Sequence, residues 1–214
     1  MTQQINTGRQ EAGSRYSLKA WPFRSWCWMI IIASFTGFVV EDIFQLITKG
    51  YANNRNMYLP FLIGYGLAIL GLWLFIGEPA YPCRLNRTKK DAPTAVKLLA
   101  YLLFSFVFVC VAEICLGYAV HMTCGFDYWN YSNYPLHITK YTSVFTSLGF
   151  AAIITLFMYF VFPRAMSAFA ANKSRAFNLA GIVLLVLLVI DYFLSFGYMY
   201  LNQDYHKVWT IRIR

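Results

Sequence analysis

The chain has 214 residues; 59% are hydrophobic, only 13% are charged, and the formal net charge is +9. Soluble globular domains carry about 25% charged residues, so that class is excluded in favour of an all-α, polytopic transmembrane helical bundle. The positive charge does not indicate nucleic acid, because the Lys and Arg residues fall between apolar runs and form no binding stripe.

Residues 1–24 are polar and basic and precede any apolar periodicity. Residues 25–201 form the membrane domain, with apolar runs at 25–47, 57–76, 96–120, 142–162 and 179–201. Each run reaches the ~20 residues that a helix needs to cross a hydrocarbon core of ~30 Å. Lipid offers no partner for backbone N–H and C=O groups, so such runs are expected to be helices, about five spans in all. The first run is too long for a signal-peptide core and reads as an uncleaved anchor. Residues 202–214 form a polar, basic tail.

Placing the N-terminus in the cytoplasm puts twelve of the 18 Lys and Arg residues inside, among them Arg24, Arg84, Arg87, Lys89, Lys90, Arg164 and Lys173. Six then lie outside: Lys49, Arg55, Lys140, Lys207, Arg212 and Arg214. The positive-inside rule therefore favours a multi-pass protein of the cell membrane with a cytoplasmic N-terminus and an outer C-terminus. Trp and Tyr near the run ends, such as Trp26, Trp73, Tyr118 and Tyr198, fit interfacial belts. The five cysteines have no metal-ligand spacing and read as free, buried, small apolar fillers.

Within the second run, Gly64, Gly66 and Gly71 with Ala68 are expected to form a close-packing helix face. Four of the nine acidic residues fall in or beside the runs: Glu41, Asp42, Glu113 and Asp191. A carboxylate near the bilayer centre costs ~2.5–3.5 kcal/mol on insertion scales, so such groups face a bundle interior or a water-filled cavity. Singly, each acid can bond a Ser, Tyr or Arg of a neighbouring helix; together they point to an outward acidic pocket. Asp42 is the most expendable, because it points to a different helix face from Glu41. Arg55 is expected to reach Glu41 or Glu113. The loop 121–141, HMTCGFDYWNYSNYPLHITKY, is too rich in aromatic and polar groups for a tether, and reads as a folded cap or part of a site. Its histidines, His121 and His137, have no metal-binding spacing, and no metal or cofactor is expected. No P-loop or nucleophile elbow occurs, so the chain carries no ATPase motif of its own.

Trp129-Asn130-Tyr131-Ser132-Asn133-Tyr134-Pro135 resembles the W-D-Y-S-x-x-P signature of the CmpB-type ABC-transporter (type IV) permease family. Gly37 with Glu41, then Asn54-Arg55-Asn56-Met57-Tyr58-Leu59-Pro60, resembles that family's G-x-x-x-E and N-R-G-x-x-Y-G-P, and Glu113 precedes the loop as in the family. The matches span roughly residues 35–165. Asn130 stands in place of Asp, Asn56 and Leu59 in place of Gly, and the family's N-G-R after the loop is missing. The resemblance implies a permease component, working with a separate ATPase that would bind the inner loops 78–94 or 164–178. It adds weight to Glu41, Arg55, Glu113, Trp129, Tyr131 and Pro135 as substrate-binding residues; Asn130 and Asp191 complete the expected set. The expected function is a permease-like subunit for a small solute. With so few helices, a homo-oligomer or a partner membrane subunit is expected. A membrane-embedded enzyme with Glu113 or Glu41 as base, and a structural or regulatory partner, are the other readings.

Overall fold

The computed structural model describes residues 21–80 and 92–212; the basic run at 84–90 and Cys83 lie outside the described residues. Its helices are α1 (Phe23–Lys49), α2 (Ile63–Phe75), α3 (Thr94–Cys124), α4 (Val144–Ala171) and α5 (Arg175–Asn202). Among the described residues, α1, α3, α4 and α5 are long and apolar enough to cross a membrane, whereas α2 has only 13 residues. At 1.5 Å per residue α2 is about 20 Å long, short of the full hydrocarbon core.

The run 57–76 is thus not one continuous helix, because residues 57–62 are not helical. Pro60 biases Leu59 away from the helical region and has no N–H of its own. The freed donors are met by other parts of the protein. Asp191 of α5 accepts from the amides of Tyr58 at 2.9 Å and Leu59 at 3.3 Å. The Leu62 amide reaches the Ser34 carbonyl of α1 at 3.1 Å. Non-helical backbone at membrane depth is stable only with such internal partners.

Chain punctuation sets the other ends. Pro22 and Pro93 stand immediately before α1 and α3. Gly50 and Gly125 end those helices at φ 74° and 77°, the left-handed conformation that glycine adopts without a side-chain clash. In α4 a wide π turn over Phe157–Val161 precedes Pro163, whose ring does not fit an ordinary α turn. Because α4 continues to Ala171 and α5 starts at Arg175, the expected inner loop 164–178 shrinks to residues 172–174.

Helix α1 is the hub, packing against α2, α4 and α5. At the start of α1, Trp26 meets Trp73 of α2 edge-on with ring centroids 4.8 Å apart, and Trp28 stacks on Phe177 of α5 at 4.6 Å. Of the three α2 glycines only Gly66 makes the expected backbone approach: a Cβ there would lie 2.6 Å from the Ile30 carbonyl oxygen. Gly64 faces open space, and Gly71 meets only the Phe108 ring. Cys27, Cys110 and Cys124 are buried free thiols; Cys115, contrary to expectation, is exposed.

Short strands cap the opposite end. β1 (Tyr51–Asn53) pairs antiparallel with β4 (Thr210–Arg212), Ala52 opposite Ile211, so the polar tail is folded onto the first loop. β2 (His137–Thr139) and β3 (Thr142–Ser143) form a small hairpin inside the 121–141 region and its continuation. Buried Asn54 ties these parts together. Its Nδ2 donates to the Met57 and His206 carbonyls at 2.9 and 2.8 Å, and its Oδ1 accepts from the Val208 amide at 3.1 Å.

Candidate functional site

Gly37 and Glu41 lie one turn apart on α1 and therefore share a face. Tyr65 of α2 lies along that face, its ring against Gly37 and its hydroxyl donating to Glu41 at 2.5 Å. The other carboxylate oxygen of Glu41 pairs with Arg55, which also donates to Gln45 one further turn along α1. Arg55 and Asn56 are both left-handed, at φ 49° and 60°, which turns the chain sharply under the cap. Tyr128 of the long loop holds this turn by donating to the Arg55 carbonyl at 2.8 Å. Burial works against the Arg55 cation, but Glu41, with Tyr128, Tyr65 and Asp42 adding to it, outweighs burial and raises the guanidinium pKa above its ordinary value.

The second carboxylate is organised from the other hairpin. Glu113 of α3 accepts from Thr142 at 2.7 Å and Ser147 at 2.6 Å, whose hydroxyls are 2.7 Å apart. One turn away, Gly117 receives the ring of Tyr141 as Gly37 receives that of Tyr65. Tyr141 in turn donates to Asp127 at 2.7 Å, on the oxygen that also accepts from Lys140 at 2.9 Å. His121 approaches the same oxygen at 3.0 Å. The Lys140 and Tyr141 hydrogen bonds hold the Asp127 pKa below its ordinary value. Trp129 Nε1 donates to the Tyr141 carbonyl and the Tyr131 amide to that of Lys140, both at 2.7 Å. The loop is therefore a folded cap that also supplies side chains to the interior.

These groups meet at a cavity of about 620 Å³. Glu41, Arg55, Glu113, Trp129 and Tyr131 all line it, together with Tyr65, Tyr128 and Tyr192. Burial, with Glu41 and Glu113 nearby, raises the Tyr131 pKa, while burial pushes that of Tyr128 up to about 12. The lining thus carries two carboxylates against one guanidinium.

The remaining expected residues lie elsewhere. Asn130 and Pro135 are exposed and make local turn contacts: Asn130 accepts from the Ser132 amide at 2.8 Å, and the Pro135 carbonyl accepts from the Ser143 hydroxyl at 3.3 Å. Asp191 is 5% exposed and is engaged by the backbone of Tyr58 and Leu59, with Ser195 at 3.4 Å, away from the cavity lining. Asp42 accepts from the Asn53 amide at 3.4 Å. Sequence reading missed Gln45, Tyr65, Tyr128, Thr142 and Ser147. Tyr, Thr and Ser are too common in this chain for Tyr65, Tyr128, Thr142 or Ser147 to stand out, and Gln45 signals nothing until Arg55 is placed beside it.

The family described as "Putative ABC-transporter type IV" (ABC_trans_CmpB) matches residues 28–196, well over half of the chain and inclusive of every cavity-lining residue. No curated protein and no solved structure matches the chain.

Proposed function

We propose a permease-like binding subunit, on the premise that the chain belongs to the ABC-transporter type IV family: a membrane-embedded component whose pocket takes a small solute bearing a cation. One observation carries this reading. Glu41 and Glu113 line the same cavity, and Arg55 is the single guanidinium set against them. Arg55 is committed to Glu41, whereas among the described residues Glu113 has only hydroxyl partners. In a low-dielectric setting an uncompensated carboxylate attracts a cation far more strongly than it does in water. Aromatic faces from Trp129, Tyr131 and Tyr192 suit an organic cation, which is drawn to the negative face of a ring.

The test uses purified protein in lipid nanodiscs and a set of organic ammonium compounds matched with neutral and anionic analogues. Cations are expected to raise the melting temperature saturably, and Glu113→Gln is expected to abolish that response while melting as the wild type does alone. Gln keeps an oxygen that can accept from Thr142 and Ser147, so shape and hydrogen bonding survive. Neutral or anionic analogues working equally well, or an unaltered response in Glu113→Gln, would refute the reading.

In this reading the capped end faces outward and the N-terminus is cytoplasmic, as the distribution of basic residues favours. Ser132→Cys, at an exposed cap position, is expected to react with an impermeant reagent in intact cells. Labelling only after the membrane is opened would reverse the orientation. The chain would work as a homo-oligomer or with a partner membrane subunit, and a separate ATPase would dock on the inner end.

A further inference from the structure

We infer that the solute is a single-chain amphiphile, its cationic head at Glu113 and its hydrocarbon tail in the apolar shaft of the cavity, entering sideways from the bilayer. This rests on the cation-binding reading above and adds the tail and the route. On α3 Glu113 stands about 7.5 Å at the helical rise above Phe108 at the deep end of the lining, and on α1 the lining reaches from Glu41 down to Ile30, about 16 Å. That is about half of a ~30 Å hydrocarbon core, the depth of one leaflet. Polar lining groups are concentrated at the capped end: Arg55, Tyr128 and Tyr131 come from the cap, and Glu41 and Glu113 from the helix halves that lead into it. Below them the walls are apolar, with Phe108, Leu185 and Val189 among the lining. A water-soluble ion has no use for such a shaft; a hydrocarbon chain fills it.

The route follows from how the helices are placed. α2 packs closely on α1, and α3 on α4, but α2, α3 and α5 have little contact with one another. Leu67, Leu116 and Phe193, one from each of those three helices, line the cavity and are still 52%, 42% and 69% exposed. The wall is therefore open where these helices meet the lipid, and a tail can slide in without leaving hydrocarbon. Gly64 borders the same space, and a Cβ built there meets nothing within 4 Å. The Tyr131 hydroxyl, which has no hydrogen-bond partner among the described residues, lies in the electrostatic reach of both carboxylates and is available to the head group.

Photocrosslinking tests this directly. The probe is an alkyltrimethylammonium with a chain about as long as the shaft and a diazirine at the chain end, added to wild-type protein in nanodiscs. Labelling is expected at Phe108, Leu185 and Val189, suppressed by excess unlabelled probe. It should fall at least tenfold in Glu113→Gln, and severalfold in Gly64→Leu, which projects a side chain into the shaft. Labelling spread evenly over lipid-facing residues of all helices, with no competition, would overturn the inference. If tetramethylammonium still stabilises the protein through Glu113 in that case, the cation reading stands and only the amphiphile falls. If shaft labelling is competed but unchanged in Glu113→Gln, the tail chamber stands and the cation reading fails.

Discussion

Gly37→Ala adds one methyl group, yet it is expected to unseat the α1–α2 interface and the carboxylate beside it. The new Cβ would lie 2.3, 2.6 and 2.7 Å from Cγ, Cδ2 and Cβ of Tyr65. Carbon atoms pack at about 3.5–4.0 Å, so the ring must retreat by more than ~1 Å. The clash is at the root of the side chain, where no rotamer change relieves it, and α2 itself has to shift. The Tyr65–Glu41 hydrogen bond, 2.5 Å long, does not survive such a shift. Overpacking costs about 1–3 kcal/mol. Loss of a hydrogen bond to a charged group adds ~1.5–3 kcal/mol. The helix-propensity gain of alanine over glycine returns only about 0.5–1 kcal/mol, leaving a loss on the order of 3 kcal/mol. Gly64→Ala is the matched control, because it makes the same chemical change on α2 with open space around the new atom. Thermal unfolding of both variants in nanodiscs should show Gly37→Ala several degrees below wild type and Gly64→Ala level with it. Equal melting temperatures for the two would sink the contact argument.

Arg55→Ala removes an ion pair whose side chains are 20% and 17% exposed, between the surface and buried cases, so a loss of about 2–3 kcal/mol is expected. Its melting temperature should fall well below that of Lys173→Ala, an exposed control; no difference would mean the pair is idle. Asp191→Ala removes two part-buried hydrogen bonds from the Tyr58 and Leu59 amides to a charged acceptor, each worth up to ~1.5–3 kcal/mol. Hydrogen exchange at those two amides should accelerate in the variant, and unchanged protection would show that another acceptor serves them. The Asp127 pKa is depressed in the folded state, so its share of stability is present above the ordinary aspartate range and disappears as pH falls through the folded value. Melting temperatures followed into acid should therefore decline more steeply for wild type than for Asp127→Asn. Parallel curves would remove Asp127 from the cap's acid sensitivity.

The helices were legible because length and hydropathy leave few alternatives in lipid, and the Arg55 pairing because so few charges lie nearby. The broken second run was only half legible. Pro60 marks the break, but its stability depends on Asp191, 131 residues further on, and single-run reasoning does not connect them. For the same reason Asp191 read as a binding group: an acid within an apolar helix signals a demand for charge or acceptor, without saying whether ligand or backbone makes the demand. Asn130 and Pro135 carried a motif whose local work is turn formation. The departure at Asn56, Asn in place of the family's Gly, is accommodated by its positive φ, where glycine fits freely and asparagine is among the better-tolerated alternatives.

The pairing of β1 with β4 makes the far end of the chain a mechanical part of the pocket, though none of its residues touches the cavity. His206 and Val208 hold Asn54, and Asn54 precedes the left-handed turn that carries Arg55. A shortened tail, or a bulky reporter fused beside Arg212, would pull on that turn and slacken the guanidinium from Glu41. Solute binding by such chains would be lost through leverage, with every lining side chain intact. Reporters for transport or binding work therefore belong at sites away from the strand that braces the pocket.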